Sequence, residues 1–136
     1  MGQAVPNVVA SSLVLVVEDD DDLRETMQEI FEAEGYRVIT AGDGRTALDL
    51  IDQGERPGVI LLDLMMPRMS GGDFLEAARR KHPELARVPV VVVTGHAQKR
   101  FALPHISRTM QKPVDLNALL NIVRQVCRPA RASGRA

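Results

Sequence analysis

The chain is predicted to fold as an α/β domain, a parallel β-sheet with helices on both faces. Three observations lead there. Short apolar runs rich in β-branched residues alternate five times with stretches of helical periodicity. The clearest runs are apolar throughout rather than alternately polar, which is the pattern of strands covered on both faces. Finally, 136 residues, 45% apolar and 26% charged, suffice for one globular domain and are too few for two. Aromatics are only 3% and Trp is absent, so the core must be built from Val, Leu, Ile, Ala and Met.

The elements follow in order. Residues 1–12, with Gly2, Pro6, Asn7, Ser11 and Ser12, read as a flexible leader. Leu13–Val17 is an apolar strand that ends in acid. Asp21 or Asp22 is expected to cap a helix whose inner face carries Leu23, Met27, Ile30 and Phe31, and Gly35 ends it. Residues 36–41 read as a second strand and 43–53 as a second helix, with Ala47, Leu48 and Ile51 inward and Gly54 after its end. Val59–Leu62 is a third strand, again ending in acid at Asp63. Met66-Pro67 and Ser70-Gly71-Gly72 are expected to form a loop, and Phe74, Leu75 and Ala78 mark a helix that stops before Pro83. Residues 88–93 read as a fourth strand leading to Thr94-Gly95. Residues 96–104 hold at most a short helix. Ile106–Gln111 is polar enough to be an edge strand. Leu116, Leu119, Leu120, Val123 and Cys127 form the inner stripe of a last helix, with Asp115 as its cap.

In an open parallel sheet, ligands bind beyond the carboxyl ends of the strands. Glu18, Asp19 and Asp20 follow the first strand, Asp63 the third, Thr94 the fourth, and Lys112 with Pro113 the fifth. Carboxylates gathered alone would repel one another and raise each other's pKa. A hard cation such as Mg2+, which takes oxygen ligands, relieves that repulsion. A carboxylate nucleophile beside fixed cations is the equipment for accepting a phosphoryl group as an acyl phosphate.

The segments LVLVVEDDDDLRE, VILLDLMMPRMSGGDF, VPVVVVTGHA and QKPV resemble the four signature blocks of bacterial response-regulator receiver domains, over roughly residues 13–127. The resemblance implies a flavodoxin-like doubly wound (βα)5 three-layer sandwich with strand order 2-1-3-4-5. It implies a receiver domain over residues 13–128 and a disordered tail over 129–136. Asp63 matches the phosphorylated aspartate, with Thr94 and Lys112 as the catalytic hydroxyl and lysine. Glu18, Asp19, Asp63 and the Met65 carbonyl match the metal ligands, the metal being Mg2+ with Mn2+ as a substitute. Pro113 matches a proline preceded by a cis peptide bond. Pro67 and Gly71 match the loop after the acceptor, and Met65 and His96 the positions that tune phosphate lifetime. The implied function is acceptance of a phosphoryl group from a sensor histidine kinase or histidine phosphotransfer protein, followed by switched partner binding or onward relay. The implied protein is a phosphoacceptor rather than a conventional enzyme, cytoplasmic, and a monomer or weak dimer.

Two features depart from the family pattern. Thr109 stands where receivers that drive an output domain carry Tyr or Phe, so an inward aromatic swing is not available. The stretch from Thr94 to Lys112 is also short. Both point to the shortened receivers of stand-alone regulators or hybrid histidine kinases, and the Met start and short tails lean toward a free-standing protein.

Other readings fare less well. A net charge of −1 gives no electrostatic case for nucleic acid, and the basic tail with Arg124, Arg128, Arg131 and Arg135 reads as a solvated terminus. No apolar run spans a bilayer, and no cationic signal-peptide start is present. Cys127 is the sole cysteine, as suits a reducing compartment. Asp21 and Asp22 read as helix-start acid, while Asp20 stays open between that role and the metal's water shell. His82, His96 and His105 are unpaired in sequence, read as solvent-facing, and make a poor zinc set. A related aspartyl-phosphate phosphatase needs an acid two residues after the nucleophile, where Met65 stands. A receiver-like binding module without chemistry would lack one of the acids or the lysine, and an EF-hand would need a Gly and a Glu that the acidic run lacks.

Overall fold

The computed structural model describes residues 11–95 and 106–130. Five strands, β1 (Leu13–Val17), β2 (Arg37–Ala41), β3 (Val59–Leu62), β4 (Val90–Thr94) and β5 (Ile106–Gln111), form one parallel sheet in the order β2-β1-β3-β4-β5. Four helices are described: α1 (Asp21–Ala33), α2 (Gly44–Asp52), α3 (Gly71–Lys81) and α4 (Leu116–Val126). The short helix expected within 96–104 lies outside the described residues.

The side-chain period of two sends alternate residues of each buried strand to opposite faces. Leu15, Val17, Ile60, Leu62 and Val92 meet α2 and α3 through Ala47, Leu48, Ile51, Phe74, Leu75 and Ala78. Val14, Val16, Leu61, Val91 and Val93 meet α1 and α4 through Met27, Phe31, Leu119, Leu120 and Val123. Each fully buried large side chain contributes about 1.5–3 kcal/mol. This is the doubly wound three-layer sandwich expected from the sequence. The inner stripe of α4, its Asp115 cap and the bounds of β3 and β5 agree with the sequence reading.

Several local expectations are corrected. The cap of α1 is Asp20, not Asp21 or Asp22; its carboxylate accepts from Leu23 N–H at 3.1 Å. Three successive aspartates are all chemically competent caps. The turn decides among them, because Asp20 N–H is tied to Glu18 Oε2 at 3.0 Å and Asp20 is left in the extended conformation a cap needs. Gly71 and Gly72 are not loop but the first turn of α3, capped by Ser70, which accepts from Asp73 N–H at 3.1 Å. A cap and tertiary packing here override the poor helix propensity of glycine. β2 begins at Arg37 rather than Tyr36, and β4 runs Val90–Thr94 because Pro83–Arg87 takes up a 3-10 turn after α3. His82 does not face open solvent: it is half-buried, with Nε2 2.9 Å from Asp52 and Nδ1 3.2 Å from Arg56. At the far end of α4, Tyr36 Oη donates to the Cys127 carbonyl at 2.6 Å and Ala130 N–H to the Gly35 carbonyl at 3.0 Å.

Candidate functional site

Every strand of the sheet points its carboxyl end the same way, so the residues after β1, β3, β4 and β5 share one edge. The backbone ladder sets their heights. Glu18 N–H donates to the Ala41 carbonyl at 3.0 Å, Asp63 N–H to Val17 at 3.0 Å, and Lys112 N–H to Thr94 at 2.9 Å. Among the described residues, Glu18, Asp63 and Thr94 are the buried polar or charged ones, only 1%, 3% and 0% exposed. Asp19 is exposed at the rim.

Lys112 closes the pocket from the far side. Its Nζ donates to Glu18 Oε2 at 2.9 Å and to Asp63 Oδ2 at 3.2 Å. The Lys112–Pro113 peptide is cis, as the resemblance implies. The other oxygen of Asp63 accepts from Met65 N–H at 3.1 Å. Met65 itself is a large apolar side chain left 44% exposed beside Asp63. Gly71 packs so tightly under Asp63 that a Cβ there would overlap the Asp63 carbonyl. That contact explains why glycine starts α3.

Burial dominates the electrostatics. It pushes the Glu18 carboxyl up to about 7, aided by the charge of Asp63 and opposed by the hydrogen bonds from Asp20 N–H and Lys112. Burial also pushes Asp63 above the ordinary carboxylate range, against the Met65 N–H bond and the Lys112 charge. Burial alone would lower the Lys112 ammonium. Its bond to Glu18 and the charges of Glu18 and Asp63 outweigh that and hold its pKa above the usual value.

The residues fit a hard divalent cation. Glu18, Asp19 and Asp63 each offer a carboxylate oxygen within 4.8 Å of the others. Glu18 Oε1 is buried without a hydrogen-bond partner among the described residues. A buried acceptor left so costs about 1–3 kcal/mol, even though the other oxygen of the same carboxyl is paired with Lys112. One ammonium against three carboxylates leaves the pocket acidic. An all-oxygen acidic donor set selects Mg2+ or a similar ion over soft metals.

The six residues picked out from the sequence therefore gather at one edge. Glu18, Asp19, Asp63 and Lys112 meet through side chains; Met65 joins through its backbone N–H; Thr94 is buried at the end of β4 and joined to Lys112 through the ladder. His96 lies outside the described residues. The sequence reading passed over Arg24, whose Nη1 donates to the Glu18 carbonyl at 2.9 Å and whose Nη2 pairs with Asp21 at 2.6 Å. The spacing of Asp21 and Arg24, three apart at a helix start, was the available signal.

A doubly wound sheet with three carboxylates and a lysine at its switch-point edge defines an acidic-pocket α/β domain carrying the donors for a divalent ion. The chain belongs to the response regulator receiver domain family, which matches residues 14–124. It is 40% identical over 86 residues to the transcriptional regulatory protein CpxR of Escherichia coli, covering 63% of this chain and 34% of that protein. It is 34% identical over 110 residues to protein Rrf1 of Nitratidesulfovibrio vulgaris, covering 81% of this chain and 78% of that one. Among solved structures, chemotaxis protein CheY4 of Vibrio cholerae superposes with a TM-score of 0.72 at 28% identity, covering 86% of this chain and 99% of CheY4. Response regulator TrrA of Thermotoga maritima, in complex with Mg2+-BeF, superposes with a TM-score of 0.71 at 26% identity, covering 84% and 97%. The chain thus spans about a third of CpxR and most of Rrf1 and CheY4. No described helix is long and apolar enough to cross a membrane.

Proposed function

We propose that the protein accepts a phosphoryl group on Asp63 in a Mg2+-dependent reaction. The donor is a histidine kinase or a histidine phosphotransfer protein, and the modified domain then changes its partner or relays the group. The reading rests above all on Lys112 Nζ, which reaches Glu18 at 2.9 Å and Asp63 at 3.2 Å from a strand remote in sequence. Glu18, Asp19, Asp63 and the Met65 carbonyl are the ligands assigned to Mg2+, with Mn2+ as a substitute. When bound, the ion neutralises charge on the phosphoryl oxygens and on the carboxylates around them.

The chain's own groups do the rest. Asp63 attacks phosphorus through one carboxylate oxygen; the new P–O bond forms as the P–N bond to the donor imidazole breaks, and the imidazole leaves with that electron pair. Met65 N–H holds Asp63 Oδ1, which fixes the rotamer of the nucleophile. Lys112 supplies a fixed positive charge to the phosphoryl oxygens. Thr94 supplies a hydroxyl donor once the group is attached. The domain is a phosphoacceptor with self-dephosphorylation rather than a conventional enzyme. It acts in the cytoplasm, as a monomer or weak dimer and without nucleic acid. Thr109 is exposed on β5, consistent with a readout that uses no aromatic swing.

The test is incubation with acetyl phosphate and Mg2+, read by intact mass. Wild type gains one phosphoryl group, and Asp63→Asn gains none. Equal gain by both proteins would overturn the assignment.

A further inference from the structure

We infer that Arg24 is a positioning residue for the metal-binding turn, an inference that rests on the reading of the site given above. Glu18 and Asp19 leave β1 on a turn of three residues before α1 begins at Asp21. Glu18 is held by its side chain, through Lys112 and Asp20 N–H. Asp19 has no such hold: among the described residues no hydrogen bond restrains its carboxylate, which lies at the exposed rim. Its direction is set by its backbone alone, and hence by the peptide plane joining it to Glu18.

That plane is fixed from α1. Arg24 Nη1 donates to the Glu18 carbonyl at 2.9 Å, and the side chain is only 20% exposed. The planar fork of the guanidinium leaves Nη2 to pair with Asp21 at 2.6 Å. An uncompensated guanidinium close to a cation site would repel the ion, and Asp21 removes that cost. The β2–α2 connection makes the room. A Cβ on Gly42 would stand 3.2 Å from Arg24 Nη1, closer than ordinary packing. Three segments, α1, the β1–α1 turn and Gly42, therefore converge on one hydrogen bond to the backbone of the metal-binding pair. Groups that orient metal ligands from behind carry a measurable share of the affinity: their loss costs roughly 10–100-fold.

The test separates metal affinity from stability and from chemistry. Mg2+ titrations followed by amide NMR compare wild type, Arg24→Met, Arg24→Lys and Gly42→Ala, at a temperature where each melts well above the measurement. Arg24→Met is expected to weaken Mg2+ binding roughly tenfold. Its rate of phosphoryl gain at saturating Mg2+ should stay near wild type, because the reacting atoms keep their partners. Arg24→Lys, which keeps a cationic donor but not the planar fork, should recover part of the affinity. Gly42→Ala should weaken binding by a smaller factor, with the charge retained and the fold intact; it decides the matter if Arg24→Met does not fold. Unchanged Mg2+ affinity in Arg24→Met or, should that variant not fold, in Gly42→Ala overturns the role of Arg24 while leaving the site standing. Wild-type protein that takes up no Mg2+ overturns the site, and Arg24's role with it.

Discussion

The two ends of the sheet each carry an ionic cluster, and the two are built on opposite terms. At the amino end, Arg56 pairs with Glu84 at 2.9 Å and Lys81 and His82 both reach Asp52, at 2.8 and 2.9 Å. The Arg56 fork also caps the carbonyls of Ile51 and Glu55. This cluster is half-exposed and its charges are matched. At the carboxyl end, Lys112 is shared between Glu18 and Asp63, Asp19 stands nearby, and Glu18 Oε1 has no hydrogen-bond partner among the described residues. The pKa values part accordingly. Asp52 is held below the usual carboxylate range, first by Lys81 and then by His82, and Glu84 is lowered by its own backbone N–H and by Arg56. Glu18 and Asp63 are pushed up by burial. A satisfied, solvated cluster ties elements together; a buried, under-neutralised one leaves room for a ligand to complete it.

Asp63→Asn should break the comparison most sharply. It should abolish phosphoryl gain from acetyl phosphate, and the loss of a ligand charge should weaken Mg2+ binding by calorimetry. Lys112→Met comes next. Breaking a buried pair costs about 3–5 kcal/mol, and with Lys112 26% exposed the expected loss at neutral pH is about 2 kcal/mol in urea melts. The loss should shrink as pH falls below 7, where the Glu18 carboxyl protonates, and phosphoryl gain should fall steeply at any pH.

A pH titration of apo-protein stability sharpens the contrast without mutation. The folded Glu18 carboxyl binds its proton more tightly than the unfolded one, about 7 against 4.5. Its contribution is therefore complete below pH 4.5 and is lost as pH rises toward 7, by at most about 3 kcal/mol. Saturating Mg2+ should offset that fall, because the ion binds the ionised folded pocket. Asp52 and Glu84, with lowered values, act in the opposite sense: their contribution is lost only as pH falls below the usual carboxylate range. A flat apo profile between pH 4.5 and 7 would contradict the desolvated picture of Glu18.

Glycines at the two ends give a matched pair. A Cβ on Gly71 overlaps the Asp63 carbonyl, and one on Gly58 overlaps the Ser11 carbonyl and crowds Cys127 Sγ. Alanine at either should cost about 2 kcal/mol in denaturant melts, but only Gly71→Ala should slow phosphoryl gain. The smallest effect is expected for Asp52→Asn. It should leave Mg2+ affinity and phosphoryl gain at wild-type values and lower the melting temperature less than Lys112→Met does.

Most of the architecture was legible because buried parallel strands are apolar throughout and their helices repeat apolar residues at helical spacing. β3 and the inner stripe of α4 follow directly from those patterns, while β5 was legible only as a polar edge strand. Glu18, Asp63, Thr94 and Lys112 could be grouped from residue order alone, since each directly follows or ends a strand run and parallel strands share one carboxyl edge. The failures came where several residues are locally equivalent. Asp20, Asp21 and Asp22 are equal candidates for a cap until Asp20 N–H is bound by Glu18. Ser70-Gly71-Gly72 reads as loop until the Asp63 backbone lies beside Gly71. His82 looks solitary until α2 and the residues before β3 bring Asp52 and Arg56 against it.

The amino-acid sequence by itself determined the chemical inventory of the edge: which acids, hydroxyl and amine end or follow which strand, and that they face one way. Tertiary structure decided the rest. It set Lys112 between Glu18 and Asp63, stripped water from those two carboxyls while leaving Asp19 wet, and brought Arg24 behind the turn. Strand order along the chain is a local property of residue pattern. Desolvation and a hydrogen bond spanning 94 residues exist only once remote segments are packed together.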